Sequence, residues 1–471
     1  MPELPEVETV VQTLRPLCIG KTIVGLEVMH KKMIKPSLKV LEKKLIHNTI
    51  SDIRRIGKFI LFFFEDDTVV VSHLRMEGKY IEQLNWDKPQ SRFPRLVFRF
   101  QGGTSMIYDD MRKFGTFEVT TKSEYLSLPS LRHLGQEPLV NLDPQPIYDQ
   151  FHRANRPIKS LILDQTILLG IGNIYADEIL FAAKLHPLRL GKTLTLPETK
   201  TILLHAKRIL HEAIQAGGTR IRSYQSGHAI DGEFTLRIQV YGKDGQPCPQ
   251  CRHRLAKMTV GGRGTHYCPA CQHHPDYPYV IGVTGEIATG KSTFIGVAKQ
   301  AGMTVISADA IVHDLYATRN VKRKLATIFP EAIKNQSIDR PSLLAAMVAD
   351  NRRYHQWLKQ LFPLVEAVII RQLKKIKAPI VLLEVPLLFQ ANLDALCDVI
   401  IGIEAPQNIQ KQRLIERNPA SADALWILNE RNRYRDFTNF VTYRLSNHQG
   451  LKAWEKLSKA TLNHIITSLK R

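Results

Sequence analysis

YVIGVTGEIATGKSTF, residues 279–294, joins an apolar run, a glycine-bracketed turn and the start of a helix. Gly285 and Gly290 enclose four residues and are followed by Lys291, Ser292 and Thr293. A strand feeding such a turn into a helix aims successive backbone N–H groups at an anion, and the lysine and hydroxyl add a positive charge and a cation ligand. The stretch therefore predicts a loop that cradles nucleotide phosphates, with Lys291 reaching the β and γ phosphates of ATP and Ser292 ligating Mg²⁺. Beyond it, IVLLEV (380–385) and CDVIIGIE (397–404) are further buried-strand runs separated by segments of helical period. That alternation predicts a parallel α/β domain over residues 280–471.

Upstream the periodicity changes. Residues 58–80 and 95–100 alternate as antiparallel strands with hairpins. From about Ile158 the spacing turns helical, through 174–183 and 199–216. QHHPDYPY (272–279) is short, polar and proline-containing, and 273–279 is expected to be a linker. At 471 residues the chain is long for a single core. It has no signal-peptide pattern and no long apolar run, so a cytoplasmic protein without membrane partners is expected.

The charge is strongly basic, 65 Lys and Arg against 44 Asp and Glu, a formal +21. Such a balance points to a polyanionic partner, nucleic acid before membrane. Residues 1–276 carry 38 basic and 28 acidic side chains and the remainder 27 and 16, so neither half alone holds the excess.

Four of the six cysteines form Cys248-x2-Cys251 and Cys268-x2-Cys271. This spacing predicts one structural Zn²⁺ held by four thiolates, and an intracellular setting disfavours the alternative of two disulfides. Cys18 and Cys397 are isolated and are expected in the core. Between the pairs lies GGRGTHY (261–267), whose glycines let a tight hairpin carry Arg263 to an anion.

The first ten residues, MPELPEVETV, allow two readings. Proline and carboxylates suit the first turn of a helix. Methionine removal would instead leave Pro2 as a free secondary amine flanked by Glu3 and Glu6. Both readings can hold at once.

PELPEVET, RRIGKF, SHLRMEGKY, DDMRKFG, LLGIGNIYADEIL, VYGKDGQPCPQC and GGRGTHYCPAC together resemble the bacterial formamidopyrimidine-DNA glycosylases over residues 1 to about 272. The resemblance implies a β-sandwich catalytic domain (1–130), a helix-two-turn-helix DNA-binding domain (131–240) and a zinc ribbon (241–272). It implies excision of 8-oxoguanine and ring-opened purines from double-stranded DNA, followed by β,δ-elimination. Pro2 would be the nucleophile, Glu3 the general acid/base and Glu6 a supporting carboxylate. Lys58, Asn173 and Arg263 would bind the phosphates flanking the lesion, although Asn173 could also be a plain helix N-cap. Met76, Arg112 and Phe114 would fill the space left by the extruded nucleotide. Arg222 and Tyr224 fall in the expected base-covering loop. The Arg112/Phe114 pair favours the oxidised-purine branch over the related oxidised-pyrimidine glycosylases.

VIGVTGEIATGKST, SADAIVHDLY (307–316), LLEVPLLF (382–389), QRLIERN (412–418) and LSNHQG (445–450) resemble dephospho-CoA kinase over about 278–471. That resemblance implies phosphoryl transfer from ATP to the ribose 3′-hydroxyl of dephospho-CoA, with Asp309 as base and Arg413 and Arg417 closing over the phosphates. This chain departs from the pattern at Glu286, Ala288, Phe362, Gln390 and Asn418. The expectation is a monomeric two-enzyme chain. The alternative is a repair glycosylase carrying an inactive or DNA-stimulated P-loop ATPase module.

Overall fold

The computed structural model describes residues 2–86, 88–219, 233–434 and 437–469. The chain forms two compact units, Met1–Tyr241 with Met258–Thr265, and Gly242–Lys257 with His266–Arg471.

The first unit opens with a helix, Leu4–Cys18. Pro5 lies in its first turn, and Glu6 caps it by accepting the backbone N–H of Glu3 at 2.8 Å. Val7, Val10, Val11, Leu14 and Cys18 recur at helical spacing and are buried. They close one side of a β-sandwich. Its four-stranded sheet runs Ile23–Val28, Pro94–Phe100, Ser105–Asp109, Lys79–Gln83, with every pair antiparallel. The five-stranded sheet runs Ile34–Lys35, Thr116–Thr121, Thr68–His73, Phe59–Phe64, Ile50–Ile56. Phe62 and Phe64 face Phe98, Phe100 and Tyr80 across the core, each phenyl contributing on the order of 2–3 kcal/mol by burial. Leu61 and Phe63 point the other way and pack on Leu131. Burial on both faces explains why FILFFF reads as a continuous apolar run.

Four helices follow: Pro144–His152, Ile158–Ile162, Asn173–Ala182 and Leu196–Gln215. The last starts at a Thr195/Glu198 capping box. Asn173–Ala182 is apolar on nearly every side and runs through the centre of this helical core, with Tyr175, Ala176, Ile179 and Leu180 inaccessible.

In the second unit five parallel strands lie in the order Thr304–Ser307, Ile380–Glu384, Tyr279–Thr284, Val399–Glu404, Tyr443–Ser446. Helices Lys291–Gln300 and Leu451–Leu469 share one core cluster, and Asn351–Leu373 belongs to another that takes in Val280, Val381 and Leu383. Tyr279–Thr284 is central; the chain builds Thr304–Ser307 and Ile380–Glu384 on one side of it, then crosses to Val399–Glu404 and Tyr443–Ser446 on the other. Its carboxyl end is therefore a topological switch point, where α/β sheets bind ligands. Among the described residues no helix is long and apolar enough to cross a membrane.

The cysteine-rich segment packs within this second unit. Arg254, three residues past Cys251, donates from Nε to Asp394 Oδ2 at 2.6 Å and makes a second bond to the other oxygen. It also bonds Asn392 Oδ1 at 3.0 Å and lies over the Phe389 ring. His253 Nε2 bonds the Asp394 carbonyl, and His273 pairs with Asp398 at 2.6 Å. Asp394 is only 2% exposed. Breaking a buried pair strands its partner charge, so Asp394→Ala should destabilise this unit by about 3 kcal/mol. Denaturant unfolding checks this, and a loss below about 1 kcal/mol contradicts it.

Candidate functional site

Glu3 is the fixed point of the first site. The carboxylate reaches the N-terminus of helix Asn173–Ala182, accepting from Gly172 N at 2.7 Å, Ile174 N at 2.9 Å and Tyr175 N at 3.4 Å. These are orphan donors of the helix end. A Cβ on Gly172 would lie 2.2 Å from Glu3 Cδ, so the close approach requires glycine. Burial pushes the Glu3 pKa up to about 7, against the pull of Lys58 and the amide bonds. Pro2 is buried beside it.

Glu6 does more than cap. While one oxygen holds the Glu3 amide, the other accepts from Tyr175 Oη at 2.7 Å and from Thr219 N and Oγ1, both at 2.9 Å. It thus ties the first helix to two later segments. Lys58 is 5% exposed and donates to the carbonyl of Ile171 at 2.8 Å. Desolvation lowers its pKa, opposed by Glu3 and Glu6.

The turn between the cysteine pairs also reaches this region. Asn173 Nδ2 donates to Gly264 O at 2.9 Å. Asn173 is the first helical residue and Gly172 the N-cap, so the simple N-cap reading is corrected. Its Oδ1 is buried and has no hydrogen-bond partner among the described residues. Lys159, wholly buried, pairs with Asp177 at 2.6 Å and donates to Gly264 O and Thr265 Oγ1. This fixes the turn whose exposed Arg263 precedes Gly264.

Met76, Arg112 and Phe114 are 44%, exposed and 51% accessible respectively, unusual for a core methionine and phenylalanine. Arg112 Nη1 lies 3.4 Å from Met76 Sδ and its guanidinium sits 4.8 Å from the Phe114 ring. Asp110 holds the loop of Arg112 and Phe114 by accepting from the amides of Arg112, Phe114 and Gly115 at 2.8–3.0 Å. Arg222 and Tyr224 lie outside the described residues.

The four cysteine sulfurs lie within 4.8 Å of one another, with Cys251–Cys268 at 3.4 Å and Cys248–Cys271 at 3.9 Å. Bonds of about 2.3 Å to one tetrahedral ion give sulfur separations of this size, so the four thiols fit structural Zn²⁺.

A cavity of about 880 Å³ opens at the carboxyl end of the central strand of the second unit. Its floor is the 285–292 loop, with Gly285, Ala288 and Gly290 all at positive φ. Lys291 Nζ donates to the carbonyls of Gly285 and Glu286 at 2.9 and 2.7 Å. Burial lowers its pKa to about 8, countered by Asp309, Glu384 and Glu286. Burial raises that of Asp309, with Lys291 opposing. Arg413 bonds the Ala288 carbonyl at 3.3 Å, and Arg417, Ser292 and Thr293 line the same space. Ser292, Asp309 and Glu384 supply the oxygen donors that suit Mg²⁺. Of the departures from the expected pattern, Gln390 and Asn418 line the cavity, whereas Phe362 packs against the hydrophobic core.

Residues 1–117, 134–225 and 245–273 match the family models for the formamidopyrimidine-DNA glycosylase N-terminal domain, its H2TH domain and the zinc finger found in FPG and IleRS. The formamidopyrimidine-DNA glycosylase of Cytobacillus firmus is 44% identical over 275 residues, 58% of this chain and 100% of that protein. The chain belongs to the formamidopyrimidine-DNA glycosylase family. Two solved structures are each 36% identical and cover 58% of this chain and 100% of their own, at a TM-score of 0.55. One is the Lactococcus lactis Fpg complexed with DNA containing an abasic site, the other MutM with DNA containing carbocyclic 8-oxo-G. Residues 279–452 match the dephospho-CoA kinase model, so one chain carries both kinds of domain.

Sequence reasoning missed several residues. Tyr175 and Thr219, which hold Glu6, and the Lys159–Asp177 pair are isolated in sequence and carry no local signal. Glu384 had one: a carboxylate ending a strand beside the phosphate-loop strand, at register with Val283. In the glycosylase part, Gly172→Ala should leave the fold intact but displace Glu3, lowering lesion excision about a hundredfold. Single-turnover excision alongside a thermal melt checks this. Unchanged excision contradicts the close-packed account of Glu3.

Proposed function

We propose that this chain is a DNA glycosylase/lyase for oxidised purines that also phosphorylates dephospho-CoA. What carries the first part is the Glu3 carboxyl, next in sequence to Pro2, pinned to a helix N-terminus and buried enough to be partly protonated at neutral pH.

With Met1 removed, Pro2 presents a secondary amine. An α-amino group ionises near pH 8, so a useful fraction is neutral at pH 7. The nitrogen attacks C1′ of the extruded nucleotide; the damaged base leaves with the electron pair of its glycosidic bond and takes up a proton, matching the proton that the amine gives up. Protonated Glu3 delivers its proton to the ring oxygen as the sugar opens, giving an iminium between Pro2 and C1′. The iminium acidifies C2′, whose proton leaves with the 3′ phosphate, and a second elimination releases the 5′ phosphate. Lys58, Asn173 and Arg263 hold the flanking phosphates, and Met76, Arg112 and Phe114 fill the emptied stack. 8-Oxoguanine opposite cytosine and ring-opened purines are the proposed lesions, in keeping with the ligand of the 8-oxo-G complex.

In the second unit Ser292 and Glu384 would hold Mg²⁺, which would supply positive charge against the phosphates. Lys291 and the loop amides bind the triphosphate. Asp309, whose burial raises its basicity, accepts the proton of the ribose 3′-hydroxyl. Arg413 and Arg417 stabilise the charge that develops on the transferred phosphoryl group.

Borohydride should trap wild type covalently on an 8-oxoguanine duplex. Pro2→Gly should abolish trapping, and Glu3→Gln should reduce it by about 10²–10⁴-fold. Undiminished trapping by both variants rejects the mechanism.

The pH dependence has a definite sign. Glu3 must be protonated, which fails as pH rises through about 7, and Pro2 must be neutral, which fails as pH falls below about 8. The excision rate should therefore be bell-shaped. In Glu3→Gln the alkaline decline should vanish, leaving a rate that only rises with pH; persistence of the decline assigns it elsewhere. For the kinase, Lys291→Ala should lower ATP-dependent CoA formation on the order of a hundredfold. A wild type that excises lesions yet makes no CoA rejects the kinase reading.

A further inference from the structure

Glu286 is the feature of the phosphate loop that the proposed kinase chemistry does not explain. A carboxylate in the turn that holds a triphosphate sets like charges a few ångströms apart, which should weaken binding. The structure gives this carboxylate a partner. Arg433 Nε lies 2.9 Å from Glu286 Oε1, with the two side chains 40% and 19% exposed. The next residue is tied to the same segment: Ile287 N donates to Asn429 Oδ1 at 2.9 Å. Asn429 sits near the end of helix Ala422–Arg431, and Arg433 two residues beyond it. The tip of the phosphate loop is thus clasped twice by residues 429–433. Arg433 also lines the cavity that holds Lys291, Arg413 and Arg417, and its only other carboxylate neighbour is Glu430 at 3.7 Å among the described residues.

We infer that Glu286 and Arg433 work as one unit in nucleotide binding. Glu286 is a positioning residue that fixes the guanidinium at the phosphate end of the cavity. Arg433 cancels the carboxylate's charge and offers its free N–H groups to the triphosphate. A guanidinium suits this double duty because its planar fork can bond a carboxylate through one edge and a phosphate through another. The pair accounts for a phosphate loop that carries glutamate. It rests on the kinase reading above and deepens it, assigning one residue at a position the phosphate-loop motif leaves open and one far from it in sequence.

The test is a double-mutant cycle on the full chain, read as Mg·ATP affinity by calorimetry and as KM against kcat in CoA formation. Arg433→Ala leaves Glu286 uncompensated and should raise the ATP dissociation constant about tenfold, with the KM for ATP rising in step. Glu286→Gly combined with Arg433→Ala should recover part of the lost affinity, because the uncompensated carboxylate is gone while the guanidinium–phosphate contact stays lost. Arg433→Lys, which keeps the charge, should lie between. The deficit of Arg433→Ala should shrink in high salt, as a lost packing contact would not. Wild-type affinity in Arg433→Ala overturns the inference, and so does a double variant as weak as the single one. A wild type that binds no Mg·ATP overturns the kinase reading itself. Normal binding with indifferent Arg433 variants removes the pair alone.

Discussion

A carboxylate buried against the end of a helix organises the first half of this protein. Glu3 accepts three backbone N–H groups around Gly172 and so joins the N-terminal helix to the helical core. The helix end supplies donors that stabilise the ionised form, while burial favours the neutral one, and burial is the larger influence. The outcome is an acid poised near neutrality instead of a strongly ionised helix cap. Glu6 repeats the tactic one turn on, spending both oxygens on Glu3, Tyr175 and Thr219. Two carboxylates three residues apart therefore serve different ends, one left able to exchange a proton and the other committed to structure.

The second unit applies the same economy with the opposite charge. Lys291 is buried, its pKa is lowered to about 8, and its ammonium donates to two loop carbonyls. Asp309 and Glu384 oppose that lowering. The zinc knuckle belongs to this unit through Arg254 and Asp394, a contact that a free-standing glycosylase could not make.

Much of this was legible in the sequence, for physical reasons. The 279–294 stretch places strand, loop and helix within sixteen residues, so the parallel domain could be read locally. The cysteine spacing was equally local. The alternating runs around 58–80 and 95–100 announced antiparallel strands, although FILFFF is buried on both faces and could not reveal which sheet faces which. What escaped were contacts distant in sequence. Nothing near Asn173 signals that its amide bonds Gly264, ninety-one residues on. Nothing near Glu286 points to Arg433, because the loop alone presents an unpaired carboxylate. Motifs identify the groups that carry chemistry, whereas the partners that tune them come from tertiary packing.

The account depends most on the protonation of Glu3, and one measurement addresses it directly. Carbon-13 NMR of the Glu3 side-chain carboxyl, followed through a pH titration of the DNA-free protein, reports its midpoint without any assumption about catalysis. The buried, partly protonated acid described above predicts a midpoint of about 7. A midpoint near the ordinary 4.5 would mean that the helix amides and Lys58 outweigh burial, and would remove Glu3 as the proton donor at neutral pH.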